Sequence, residues 1–181
     1  MTKGRIFAVV GPSGAGKDSL IAGAMAETPG LVWARRVITR PSEAGGEPVE
    51  GVSEAEFSRR KASGAFVLDW QAHGLRYGIP VSILDDLAEG RDVIFNGSRA
   101  ELHAAVQQFP GLIVLLVTAS ADVLAARLAT RGREVAGDIA KRLQRPDYAM
   151  PAGITARTVV NDGILAEGVT RFLAALHPVR A

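Results

Sequence analysis

The chain contains no cysteine, which excludes disulfides and thiolate metal sites and is compatible with a cytoplasmic protein. Basic residues barely outnumber acidic ones, for a formal net charge of +2. No long Lys/Arg block occurs either, so these totals give no reason to expect a nucleic-acid partner. The most apolar segment, residues 112–117, falls far short of the ~20 residues that span a bilayer, so no membrane partner is expected. Internal repeats and low-complexity tracts are lacking too.

What is present suffices for one globular domain. Of 181 residues, 48% are hydrophobic and 22% charged, enough for a sizeable core. The first apolar stretch, RIFAVV at 5–10, is too short for a signal peptide and runs straight into a glycine-rich segment, so it reads as a strand. From there strands and helices alternate. Residues 17–26 have helical composition and stop at Pro29-Gly30. Residues 31–39 read as a strand and 41–51 as a loop without period. Ser53 and Glu56 form a capping box that opens a helix. Residues 65–70 read as a strand, 81–89 as a helix, 92–95 as a strand and 99–109 as a helix. The continuous apolar run 112–117 has the pattern of a strand buried on both faces. Helices are expected over 121–130, 138–149 and 164–176, and a last strand over 155–160. The pattern predicts an α/β fold, a parallel sheet covered on both sides. Ligands bind such sheets beyond the carboxyl ends of the strands. The segments 11–17 and 96–99 both fall there.

Residues 11–20 read GPSGAGKDSL, and the first seven spell a phosphate-binding loop. Gly11, Ser13, Gly14, Ala15 and Gly16 let backbone N–H groups turn toward phosphate oxygens at the positive end of the following helix. Lys17 adds a full charge near the outer phosphates. Asp18 stands where a Ser or Thr is usual, and Ser19 follows one place late. Asp18 either complements the helix dipole or serves as an Mg²⁺ ligand; Ser19 could supply the hydroxyl instead, and the two readings stay open.

The chain resembles the guanylate kinase-like group of P-loop phosphotransferases over nearly its whole length, and within that group it is most similar to the ribose 1,5-bisphosphate phosphokinases. The residues that carry the resemblance are GPSGAGKDSL at 11–20, RVITR at 36–40, HGLRYG at 73–78, NGSRA at 96–100, RGRE at 131–134 and NDG at 161–163. GKDS and NGSR are the most specific of these. The resemblance implies a P-loop NTPase three-layer sandwich in one domain over 1–181. An acceptor-binding segment would cover about 35–80 and a lid about 131–140. It also implies ATP and Mg²⁺ as cofactors and transfer of the γ-phosphoryl of ATP to ribose 1,5-bisphosphate, which would yield 5-phospho-α-D-ribose 1-diphosphate in phosphonate catabolism. The partners would be small molecules and the location cytoplasmic; a homodimer is compatible with it.

Guanylate kinases differ where a purine is read. A glutamate that reads the guanine edge is replaced by Asp69, a hydroxyl residue after Tyr77-Gly78 by Ile79, and an acidic strand end by Phe95-Asn96-Gly97. A site lacking the polar partners of a base discriminates strongly against it. An acceptor carrying about four negative charges calls for arginines, whose planar forks match phosphate. The candidates are Arg36, Arg40 and Arg99, joined by Thr39, Tyr77, Asn96 and Ser98; Arg35 and Arg76 also fall on the expected side, and Tyr77 could equally be core. Arg131 and Arg133 read as lid residues that bring charge to the reacting phosphates with Lys17, and Arg127 and Arg142 are weaker candidates. Asn161 belongs either to an adenine-lining stretch or to a plain turn. Alternatives are a guanylate or other nucleoside monophosphate kinase, and a non-catalytic binding module of this fold.

Overall fold

The computed structural model describes residues 3–41, 47–130 and 150–177. The lid candidates Arg131 and Arg133, with Glu134, Arg142 and the helix expected over 138–149, lie outside the described residues.

The first half runs β1 (Ile6–Val10), α1 (Lys17–Glu27), β2 (Val32–Trp33), β3 (Arg36–Ile38), β4 (Val49–Gly51), α2 (Glu54–Ala62), β5 (Phe66–Ala72) and β6 (Leu75–Pro80). The second runs α3 (Ile83–Ala88), β7 (Val93–Asn96), α4 (Leu102–Gln108), β8 (Ile113–Thr118), α5 (Ala121–Thr130), β9 (Arg157–Val160) and a closing helix, here α6 (Leu165–Leu176). Five strands form a sheet in the order β2-β7-β1-β8-β9, every pair parallel. This is the parallel sheet that the alternation of elements predicts.

Its two faces are packed by the period-2 alternation of the strands. Phe7 and Val9 of β1 join Ile94, Leu115 and Val159 in a core with Leu20 and Ile21 of α1 and Phe172 and Leu176 of α6. Ile6, Ala8 and Val10 point the other way, into a core with Ile83 and Leu87 of α3, Leu102 of α4, and Trp70 and Ile79. Helices thus cover both sides, and the site is left to the strands' carboxyl ends. The register sets Val9 beside Asn96, so the end of β7 stands next to the loop that follows β1.

A second sheet, in the order β4-β3-β6-β5, was not legible in the sequence. Its β3–β4 pair is parallel, while β3–β6 and β5–β6 are antiparallel. The single strand expected over 31–39 is two: Ala34 still donates to the Ile94 carbonyl, and then the chain leaves for the second sheet. The break falls at Arg35-Arg36, residues that a strand buried on both faces does not accommodate. The loop expected over 41–51 ends in β4. Between β5 and β6, His73 takes a positive φ of 52°, as the first position of a tight type I′ hairpin turn requires. Ser53 caps α2 through Oγ, accepting from the Glu56 N–H at 3.1 Å. The Glu56 carboxylate turns instead to Arg59 and Arg60. Their hydrogen bonds, Arg59's first, draw it down to about 2.

Candidate active site

A cleft of about 1150 Å³ opens where the carboxyl ends of β1 and β7 meet the second sheet. One wall is the phosphate loop. Gly16 caps α1 at φ 90°, and no side chain caps that helix. Residues 16–19 therefore present an uncovered helix start to the cleft, the arrangement that attracts anions. Lys17 Nζ donates to the carbonyls of Gly11 at 2.9 Å and Pro12 at 3.1 Å, folding back over the loop.

Asn161 stands beneath this wall and is 3% exposed. Its Nδ2 donates to the Ala15 carbonyl at 2.8 Å, and a Cβ on Gly16 would stand 2.5 Å from that nitrogen. Neither sequence reading of Asn161 described this: it braces the loop from below and does not line the open cleft. Arg127, a weaker candidate, also reaches the loop, its Nη1 3.5 Å from the Ala15 oxygen. Ala15 itself is fully buried.

The opposite wall comes from the second sheet. Trp70 and Tyr77 stack with ring centroids 5.4 Å apart and planes 6° from parallel, and the Arg36 guanidinium lies over both rings. Arg36 donates through Nε, at 3.0 Å, and through Nη2 to Glu47 Oε1, and through Nη1 to the Asn96 carbonyl at 3.1 Å. Its fork is thus engaged by the protein, which suits a brace better than a phosphate clamp. Arg40 lies 4.0 Å from the same Glu47 oxygen, and its Nε is buried without a hydrogen-bond partner among the described residues. Asn96, 3% exposed, shares its amide between two acids. Nδ2 donates to Asp18 Oδ1 at 2.8 Å and to Glu47 Oε2. The acids on that side fix the amide's orientation, because a carbonyl oxygen there would be repelled.

The cleft gathers Gly11, Ser13, Gly14, Gly16, Lys17, Asp18 and Ser19 from the first wall. It gathers Arg36, Arg40, Tyr77, Asn96, Ser98 and Arg99 from the others. Thr39 is not in the lining: its hydroxyl accepts from the Arg76 N–H at 2.9 Å. Arg76 is held against α2, by Ser58 at 2.7 Å and over the Phe57 ring. Glu47, Trp70 and His73 line the cleft without having been assigned a role from sequence. Glu47 lies in the periodless stretch 41–51, where nothing local marks it. Trp70 lies in β5, whose hairpin partner β6 was not legible in the sequence.

Phosphate loop, parallel sheet and second sheet define a P-loop protein of the guanylate kinase-like fold. A guanylate kinase from Anaplasma phagocytophilum superposes with a TM-score of 0.65, covering 97% of this chain and 86% of its own at 19% identity. No protein-family model matches the chain. A ribose 1,5-bisphosphate phosphokinase from Ruegeria sp. is 48% identical over 99% of this chain and 95% of its own length. The chain belongs to the ribose 1,5-bisphosphate phosphokinase family. A bifunctional ribose 1,5-bisphosphokinase-thymidine phosphorylase from Cupriavidus necator is 51% identical over 96% of this chain, which spans 29% of that longer protein. Among the described residues, no helix is long and apolar enough to cross a membrane.

Proposed function

We propose that this chain transfers the γ-phosphoryl group of ATP to the 1-phosphate of ribose 1,5-bisphosphate. The bond from the γ-phosphorus to its bridging oxygen breaks, and a bond to an acceptor phosphate oxygen forms. The products are ADP and 5-phospho-α-D-ribose 1-diphosphate. The observation that carries this reading is the pairing of a phosphate loop with Arg40 and Arg99 in one cleft, in a chain of this family.

The acceptor phosphate is already largely ionised at neutral pH, its second pKa being about 6. No strong base is required, and catalysis reduces to alignment and charge neutralisation. In this reading Lys17 leaves the Gly11 and Pro12 carbonyls for the β- and γ-phosphates. Arg40 and Arg99 hold the acceptor, while Ser98 hydrogen-bonds its oxygens; all three line the cleft. Arg131 and Arg133, in a lid over about 131–140, bring further positive charge and help exclude water. The segment 35–80 serves the acceptor.

Asp18 and Ser19 offer two hard oxygen donors at the loop, and among the described residues no cluster of three acidic or histidine ligands competes with them. That donor set fits Mg²⁺, which takes one or two protein oxygens beside substrate phosphates and water. Bound there, Mg²⁺ supplies neutralisation of the phosphate charge.

Asp69, where a base-reading glutamate would be, is drawn to Lys61 at 2.6 Å. Asp69 is not in the lining of the cleft; it faces a separate crevice of about 20 Å³ under Trp70 and Phe95. The reading is tested by following ADP release with ribose 1,5-bisphosphate and with GMP as acceptors. The sugar bisphosphate is expected to be favoured in kcat/KM by about a hundredfold or more; equal or better use of GMP would make the chain a nucleotide kinase.

A further inference from the structure

We propose that Glu47 is a positioning residue: its carboxylate clasps the second sheet to the phosphate-loop edge of the parallel sheet and so sets the acceptor half of the cleft. The inference rests on reading the cleft as a phosphoryl-transfer site.

Glu47 sits on the approach to β4 and is 8% exposed. Burying a carboxylate is costly unless its oxygens are hydrogen-bonded, and here both have partners. Oε1 takes Arg36 of β3, with Arg40 at 4.0 Å. Oε2 takes the Asn96 amide at the end of β7. That amide continues to Asp18 in the first turn of α1. One chain of contacts, Arg36–Glu47–Asn96–Asp18, therefore crosses from the second sheet to the nucleotide wall. Asn96 of NGSR meets Asp18 of GKDS directly, and Glu47, a residue in neither motif, ties that pair to Arg36 of the second sheet.

The same chain explains why an amide stands at 96. An aspartate there would bring three carboxylates together with no donor between them, a repulsive arrangement. Asn96 supplies two N–H donors, one for each acid. Arg36, held by Glu47, by the Asn96 carbonyl and by the stacked rings of Trp70 and Tyr77, fixes the aromatic wall. Arg40 stands beside this chain of contacts, 4.0 Å from Glu47 Oε1.

The test compares the wild type with Glu47→Gln, Asn96→Ala and the double variant. Each single change breaks the clasp, so each is expected to raise the KM for ribose 1,5-bisphosphate about tenfold, the loss of one charge-assisted hydrogen bond. In Glu47→Gln the KM for ATP should stay within about twofold, and the double variant should be no worse for the acceptor than the worse single one, since contacts in one network are not additive. Effects on the acceptor that multiply, or a Glu47→Gln effect that falls equally on ATP and acceptor, would overturn the assignment. Hydrogen exchange reads the clasp without any turnover. Glu47→Gln should speed exchange in β3 and β4 while β1 and β8 keep their protection. Loss of protection in both sheets would make Glu47 a plain folding residue, and unchanged protection in β3 and β4 would show no clasp. If the wild type fails to use the sugar bisphosphate while Glu47→Gln shows this exchange pattern, the proposed substrate is refuted and the clasp stands.

Discussion

Replacing Gly168 of α6 with alanine should destabilise this protein and weaken nucleotide binding, although Gly168 lies outside the cleft. In an ordinary helix the change gains about 1 kcal/mol, because alanine restricts the unfolded chain and favours the helix. Here the added Cβ would run into Asn161 Oδ1 and stand 2.9 Å from Leu20 Cδ2. Overpacking of that kind costs about 1–3 kcal/mol. If Asn161 is displaced, the Ala15 carbonyl loses its 2.8 Å donor and, among the described side chains, retains the 3.5 Å contact from Arg127. A buried carbonyl left so poorly paired costs a further ~1–3 kcal/mol. The costs outweigh the gain, and a net loss of about 3 kcal/mol is expected. With a urea slope of about 2 kcal/mol/M, the midpoint should fall by roughly 1.5 M. Calorimetric titration should show ADP binding weakened about tenfold, because the loop that Asn161 braces is loosened. Asn161→Ala, which adds no atoms, should give the same loss of ADP affinity. A Gly168→Ala protein that is more stable than the wild type and binds ADP equally well would refute the brace.

Two further outcomes concern the loop lysine and the start of β1. Lys17→Ala should lower turnover about a hundredfold or more, since Lys17 supplies charge to the moving phosphoryl group; near-normal steady-state turnover would remove it from the site. Asp92 binds the Arg5 backbone N–H at 2.7 Å and its side chain at 3.1 Å. Burial pushes the Asp92 carboxyl up, but the hydrogen bonds and charge of Arg5 more than offset this and leave it below its ordinary value. A carboxyl lowered by folding stabilises the fold above its unfolded value of about 4, and that contribution is lost as pH falls through the folded value. Urea midpoints should therefore drop more steeply below about pH 4 in the wild type than in Asp92→Asn; parallel acid limbs would count against the pair.

The parallel sheet was legible because its strands are apolar runs bounded by turn residues, and the phosphate loop because its backbone task demands glycine and lysine at set spacing. The second sheet was hidden by its brevity. β3 and β4 have three residues each, too few to display a period, and β6 carries glycine and proline. The types of the site residues could be read, but not their partners. Arg36 has the residue type of a phosphate clamp, yet its donors go to Glu47 and the Asn96 carbonyl. Asn96 was expected to face the acceptor, and its amide is taken up by Asp18 and Glu47. Such pairings join residues far apart in the chain, so no local pattern announces them. Asn161 is the sharpest case: a turn sequence describes its backbone, while its side chain is set by Gly16 on one side and Gly168 on the other.

The central claim is that the cleft joins two polyanions and reads no base on the acceptor. Phosphorus NMR of the products formed from ATP and ribose 1,5-bisphosphate tests it most directly. ADP and a coupled diphosphate on C1 of the sugar, the 5-phosphate signal unchanged, are expected. A mixture that remains ATP and sugar bisphosphate, while GMP in its place is converted to GDP, would contradict the account.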